Sequence, residues 1–448
     1  MTARTRRQSR ALDWRLSNAG TFAEQEAWRV SSAHLQAVYP AMASPGLGTE
    51  GILVGRDLYG SAFVFDPWVL YGRQQVANAN ILILGDTGFG KSGLIKRLLY
   101  RGHVRGHRCE LTDVKDEYGP LVDAIGGTTI SLYRGGSIRL NPLRPNPDGT
   151  PADELLRGVA GAALGRDLLP AEAAGLDAAV AHITTAAQAT GREPIIPELV
   201  DELLEPSRQL VDQLRGRDTE EVRGELRQLG LALQTLCRGP LSGMFDAPST
   251  ADIDWRAPGV RLDLSRIQDD TALAVLMVAW MAFLRQAHEE RRAECAQTGV
   301  AMPPTWRPND ETWRAAAVPG VAATYQREHK LARSSGVANI SAIHKLADLE
   351  SGTDTGTAAS KQLAGLVDDI DIQIIFRITG RDVTEAVCDR FGLSETLRVS
   401  FGRLRQDQAF WIVGGRQFLV QHETTTSERA ITYTDAAMDA AIDSQEAA

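Results

Sequence analysis

The sequence predicts an α/β protein: a central, mostly parallel sheet interrupted by an all-α subdomain. Three observations predict it. The aliphatic residues Ile81–Leu84 run into a glycine-rich turn and then into a helix-spaced segment, the order strand, loop, helix. Short apolar runs alternate with helical stretches before residue 150 and again from about 258. Between these halves, residues 151–240 are rich in Ala, Leu and Glu at helical spacing, with breaks at Pro194, Pro197 and Pro206.

In chain order, residues 1–48 form a basic N-terminal arm, in which Arg4, Arg6, Arg7, Arg10 and Arg15 precede any real hydrophobic pattern. It is either a solvated tail or a contact arm for DNA, acidic lipid or a partner. Residues 49–150 make the first part of the core. There "GILVGRDLYGSAFVFDPW", β-prone runs broken by Gly and Asp, reads as a short hairpin. Ile81–Leu84 follows as a strand. Ser92–Tyr100 continues as a helix with Leu94, Ile95, Leu98 and Leu99 on one face, and "RCELTDV" (108–114) is the next strand. The texture changes after "LNPLRPNPDGTP", and residues 151–240 read as a helical insertion. Residues 241–448 complete the core: the strand "GVRLDLS", an apolar helix over 271–287, then "ANISAIHK", "DIQIIFRI" and "AFWIVGGRQFLVQH".

Composition excludes several classes. The net charge of -9 over 448 residues leaves no global basic face, so any nucleic-acid surface must be local. Cys109, Cys237, Cys295 and Cys388 include no Cys-x-x-Cys pair and point to a reducing compartment. The longest apolar run, Leu273–Leu284, is too short for a membrane span and reads as a buried helix. No apolar stretch follows the N-terminal arginines, so no signal peptide is expected and the expected location is cytoplasmic.

Gly85-Asp86-Thr87-Gly88-Phe89-Gly90-Lys91-Ser92 fits G-x-x-x-x-G-K-[ST] in full, with Gly93 continuing into the helix. Such glycines let the backbone wrap a β-phosphate with its N–H groups pointing inward. Lys91 would reach the β/γ oxygens and Ser92 would ligate Mg²⁺. The N-terminus of the following helix adds positive potential. A lysine at that position is notable in a chain with only six. The motif predicts an ATP-type site in a P-loop NTPase.

Hydrolysis also needs a carboxylate to position the metal and a base to activate water. Asp310-Glu311, in "PPTWRPNDETWRAA", is the clear Asp-Glu candidate in the second half of the core. Asp310 would hold the Mg²⁺ water shell and Glu311 would polarise the attacking water. The residues before them are poor strand material, because Pro303, Pro304 and Pro308 cannot donate ladder hydrogen bonds. The alternative reading is a helix N-terminus with both acids in the first turn.

Several ordered motifs resemble the HerA–FtsK superfamily, nearest to TraC-like motor ATPases of type IV secretion and conjugation. "GRDLYGSAFVFDP" resembles the family's lead-in hairpin. "TDVKDEYG" (112–119) is similar to D-x-K-G-E-Y, with Asp116 in place of the glycine. "LNPL" (140–143) resembles an Asn-Pro step before a helical insertion, and "DETW" (310–313) a Walker B segment. "ISAIHKLADL" resembles the strand end that senses the γ-phosphate, with His344 where other members often have Gln. The closing "FWIVGGRQFLVQHETTTSERAITYTD" is similar to actinobacterial members. The resemblance implies a RecA-like core, hexameric rings, ATP and Mg²⁺ bound between subunits, and an arginine supplied by the neighbour. Arg377 and Arg381 are the candidates for that arginine, with Arg403 a third. It also implies partners in a membrane-associated secretion or conjugation complex, at the inner face of the cytoplasmic membrane, with DNA as an alternative substrate. The chain is expected to have no transmembrane segment of its own.

Asp113 is expected to end the strand beside the phosphate loop, with Glu117 in the adjoining turn, both near Mg²⁺ or water. The alternative is a capping pair for the helix begun near Pro120. Asp263, ending "VRLD", reads as structural. Three functions compete: a secretion or conjugation motor acting on protein, a DNA translocase, and a nucleotide-binding scaffold without hydrolysis. The acidic balance favours the first over the second.

Overall fold

The computed structural model describes residues 46–144, 153–250, 253–310, 329–333, 335–343, 365, 367, 369–393 and 395–432. Among the described residues, eleven strands form one sheet: β1 (Ile52–Asp57), β2 (Ala62–Phe65), β3 (Ile81–Leu84), β4 (Arg108–Asp113), β5 (Thr128–Ser131), β6 (Gly259–Asp263), β7 (Thr305–Asp310), β8 (Val337–Ile343), β9 (Ile372–Ile375), β10 (Gln408–Val413) and β11 (Arg416–His422). Their order is β2-β1-β11-β10-β9-β3-β8-β7-β4-β6-β5. From β9 to β5 neighbouring strands are parallel. The expected hairpin β1–β2 and the hairpin β10–β11 extend that sheet as an antiparallel flank.

The aliphatic strand β3 is buried throughout, with β8 on one side and β9 on the other. Ile81 and Ile83 join a core shared with Leu94, Ile95 and Leu98 of the following helix, while Leu82 and Leu84 join a second core on the opposite face. The short helix α1 (Pro67–Gly72) is capped by Asp66, whose carboxylate accepts from the N–H groups of Trp68 and Val69. Helix α2 (Lys91–Val104) follows the phosphate loop, and α3 (Gly119–Ala124) follows β4.

The proline-bearing segment at 305–310 is a strand after all, and a central one. Its ladder to β8 runs without a break through Pro308 opposite Ile340. Its ladder to β4 keeps register but skips Arg307 and Pro308, where the missing N–H would have left a carbonyl unpaired. The expectation for β4 needs correction. It does not lie beside the phosphate-loop strand, because β8 and β7 intervene.

Among the described residues, no strand comes from 153–240. That stretch holds α4 (Asp153–Leu164), α5 (Pro170–Ala189), α6 (Ile196–Leu204), α7 (Arg208–Gln213) and α8 (Thr219–Gln234). Pro197 sits in the first turn of α6, where its lost N–H costs nothing, and Pro206 separates α6 from α7. These helices share one apolar core with Val260 and Leu262 of β6 and with α9 (Asp270–Thr298), the crossover from β6 to β7. Helix α9 is long and apolar enough to cross a membrane, but 78% of its apolar window is buried inside the protein. It is a core helix. The helices α10 (Arg381–Phe391), α11 (Glu395–Phe401) and α12 (Thr426–Thr432) complete the second half.

Candidate nucleotide site

The phosphate loop leaves β3 at Gly85, whose φ of 147° lies outside the range of most side-chain-bearing residues. A Cβ there would also fall 2.6 Å from Cβ of Phe376. The loop is stitched to the segment after β9. The Phe376 N–H donates to the Leu84 carbonyl at 2.7 Å and the Asp86 N–H to the Arg377 carbonyl at 2.9 Å. The Asp86 carboxylate accepts from the Thr379 N–H at 3.0 Å and from its hydroxyl at 2.7 Å. Thr87 and Gly88 form the exposed crest.

Lys91 is buried, and its Nζ donates back to the carbonyls of Gly85 at 2.6 Å and Asp86 at 3.0 Å. The cation therefore sits inside the loop, at the mouth of α2. Among the described residues no side chain caps the α2 N-terminus, where Gly90 takes φ 103° and Ser92 and Gly93 lie in the first turn. A 14-residue helix ending in uncapped N–H groups beside a buried ammonium suits a polyphosphate. The loop residues predicted from sequence are thus brought together, and a nucleotide's phosphates fit them.

Asp310 ends β7 on the same edge. Its register partner is Ala342 on β8, which in turn faces Ile83 on β3. Two inter-strand steps place its backbone about 10 Å from that of Ile83. Asp310 therefore ends at the loop's edge of the sheet with one strand between. Glu311 and His344 lie outside the described residues. Among the described residues, no cluster of three His, Cys, Asp or Glu could hold a metal alone.

Asp113 ends its strand and Glu117 follows in the adjoining turn, but neither stands beside the phosphate loop. The Asp113 carboxylate accepts from the N–H groups of Lys115, Glu117 and Tyr118 and from Arg261 Nε at 2.8 Å. It organises its own loop three strands from β3, and Glu117 lies in that loop. Arg261 also binds Asp116 and approaches Asp263 at 3.8 Å. Asp116 adopts φ 58°, the left-handed conformation that a glycine takes without cost. Arg377 stacks on Phe89 of its own loop, its guanidinium 4.9 Å from the ring centroid. Arg381 is exposed at the start of α10, 3.2 Å from Glu385, and Arg403 is also exposed.

Two features escaped the sequence reading. First, the chain's C-terminal part clasps α2. Arg97 binds Thr424 and, at 2.9 Å, Asp407, and a Cβ on Gly90 would meet that same Asp407 carboxylate at 2.9 Å. Arg101 binds Glu428 on α12 at 2.6 Å, together with the carbonyls of Leu53 and Glu423. Burial opposes ionisation of Glu428, but Arg101 and Thr425 hold its carboxyl down at about 2.

Second, a buried polar strip crosses the sheet face under α9. Glu110 of β4 accepts from Arg307 of β7 at 2.8 Å and lies 2.6 Å from Nε2 of His288 on α9. Burial would raise the Glu110 carboxyl, yet His288 and Arg307 hold it at about 2. Asn309 on β7 and Asn339 on β8 are also buried, and Asn339 bonds to Asn80 at 3.1 Å. The signal was present in "TWRPND": Trp306 joins the apolar core on the α2 side, while Arg307 turns to the opposite face.

Comparison with known proteins bears on this arrangement. The backbone is similar to that of VirB4 of Thermoanaerobacter pseudethanolicus, with a TM-score of 0.68 at 21% identity, over 86% of this chain and 99% of that one. The fold is RecA-like. It is also similar to the plasmid coupling protein TrwB in complex with the non-hydrolysable ATP analogue ADPNP, with a TM-score of 0.56 at 16% identity, over 90% and 95% of the two chains. TrwB in complex with ADP and Mg²⁺ gives 0.55 at 16% identity, over 89% and 93%. No protein-family model matches the chain, and no curated protein matches it by sequence. At these identities the RecA-like fold is what is shared.

Proposed function

We propose that this chain is an ATP-hydrolysing motor of a conjugative-transfer or type IV secretion apparatus, of the HerA–FtsK kind. The observation that carries the reading is the complete phosphate loop on the same sheet edge as Asp310, with β8 between their strands. The likeness to VirB4 and TrwB supports it. ATP and Mg²⁺ are the cofactors, as the complexes of TrwB suggest. The loop from Gly85 to Gly93 cradles the β- and γ-phosphates and Lys91 neutralises them. Ser92 and Asp310 would hold Mg²⁺, which would supply charge stabilisation for phosphoryl transfer. Glu311 orients the attacking water, and His344 reads the γ-phosphate.

The protein works as a homo-oligomer, a hexamer in this reading, on the cytoplasmic side of a membrane complex. Because Arg377 rests on its own loop, it serves the nucleotide of its own subunit. The exposed Arg381 is better placed to reach a neighbour's. Mixing Arg381→Ala with Glu311→Gln subunits should restore turnover above that of either variant alone; no restoration removes Arg381 from that role. A DNA translocase is the second reading, favoured by the likeness to the coupling protein TrwB. Turnover of purified protein with and without duplex DNA separates them. Turnover indifferent to DNA supports the protein-directed motor, strong stimulation supports the translocase, and no turnover leaves a nucleotide-binding scaffold.

A further inference from the structure

Strand β7 presents a physical question. A central strand of a parallel sheet is ordinarily a run of Val, Ile or Leu. Here Arg307 and Asn309 are 5% and 4% exposed. Burying an ion pair seldom stabilises a fold relative to well-packed apolar side chains, because the desolvation cost cancels the attraction. What such a pair does impose is geometry. Arg307 binds Glu110 through both Nε, at 3.1 Å, and a terminal nitrogen, at 2.8 Å, and the other Glu110 oxygen meets His288. A carboxylate held on two sides fixes three elements in register, where aliphatic contacts would let them slide.

The three elements are β4, β7 and α9, and α9 belongs to two parts of the molecule. Residues Ala272–Leu284 lie in one core with Leu156, Val159 and Ala160 of the helical insertion. His288 stands one turn further on, and the helix then leads into β7. Arg307 precedes Asp310 by three residues on that strand.

We propose that Glu110, Arg307 and His288 are positioning residues that couple the helical insertion, through α9, to the strand end carrying Asp310. A shift of α9 relative to the sheet is then transmitted to the nucleotide edge through a directional contact, and nucleotide occupancy is reported back to the insertion. The inference rests on the ATPase reading given above.

The test uses the full chain, with its ATPase kinetics, binding of a fluorescent ATP analogue, thermal melting, and hydrogen exchange of α9 with and without Mg²⁺ and a non-hydrolysable ATP analogue. His288→Leu should lower kcat by about 10- to 100-fold, the scale of a small misplacement at a reacting centre. The KM for ATP should stay nearly constant and Tm should move by no more than about 3 °C. His288→Gln, whose amide can still donate to Glu110, should recover most of the loss. In wild type the analogue should change exchange over residues 285–298, and His288→Leu should abolish that change while binding the analogue equally well. An unchanged kcat in His288→Leu overturns the inference, as does a loss that Gln does not rescue. Should His288→Leu fail to fold, the wild-type exchange measurement decides alone. Wild type that binds the analogue without any change in α9 overturns the coupling and leaves the nucleotide site standing. Wild type that binds no nucleotide overturns the ATPase reading and this inference with it.

Discussion

Strands β3 and β7 have only β8 between them and end on the same edge, yet they share no residue type. Each is buried: all of β3, and β7 from Thr305 to Asn309. The difference lies in what covers them. β3 meets an apolar core on each face, so Ile-Leu-Ile-Leu suits both. β7 meets an apolar core only on the α2 side, through Trp306, and a charged partner set on the α9 side. Burial and apolarity are therefore separable. A strand's composition records its two neighbours, face by face.

The contrast can be broken most sharply at Arg307. Arg307→Ala leaves the Glu110 carboxylate in the core with half its partners, and should cost about 3–5 kcal/mol in denaturant unfolding. Arg307→Met combined with Glu110→Leu removes both charges and should cost much less. If the single change is nearly neutral, water reaches the strip in solution and the contrast with β3 is smaller than the burial implies.

At the end of β3, Lys91→Ala should reduce turnover by about 10²- to 10³-fold and weaken ATP binding, since a charge aimed at the transferring oxygens is lost. Unchanged turnover would remove the loop from the chemistry. At the end of β7, Glu311→Gln keeps the side chain's shape but not its basicity. Turnover should fall by about 10²-fold while ATP affinity holds. If both survive, Glu311 is not the base that activates the water, and Glu117 becomes the next base to test.

The smallest effect concerns acid. Glu110 and Glu428 both have folded-state values near 2, below the ordinary 4.5. A carboxyl whose value is depressed on folding contributes stability that is present above its unfolded value and lost as pH falls through the folded one. Melting temperature should therefore decline between pH of about 4.5 and about 2. Glu428→Gln should flatten part of that decline, and an unaltered acid profile would separate Glu428 from it.

The phosphate loop was legible because all its chemistry is contiguous: strand, glycines, lysine and helix occupy thirteen consecutive residues, 81–93. The aliphatic strands and the first hairpin were legible for the same reason. Strand order was not, because nothing local to Asp113 says that β7 and β8 will enter between β4 and β3. β7 itself was doubted on its prolines, a rule that holds for N–H groups facing a paired neighbour. Pro308 occupies the stretch where the ladder to β4 is skipped. The Glu110–Arg307 bond joins residues 197 apart in sequence, so neither residue announces the other.

The clasp on α2 has a consequence for the order in which the molecule is made. Arg101, on the helix that the phosphate loop opens, is held by Leu53 from the first hairpin and by Glu423 and Glu428 from beyond the last one. Those later partners are 322 and 327 residues away in the chain. Contacts of such separation form late, since loop closure must precede them. On the ribosome, where the N-terminal part emerges first, β3 and its loop leave the exit tunnel long before β10, β11 and α12. The nascent phosphate loop must therefore wait for the residues around Glu423 and Glu428 before its helix is locked, and chains released before them would carry the complete motif on an unanchored helix.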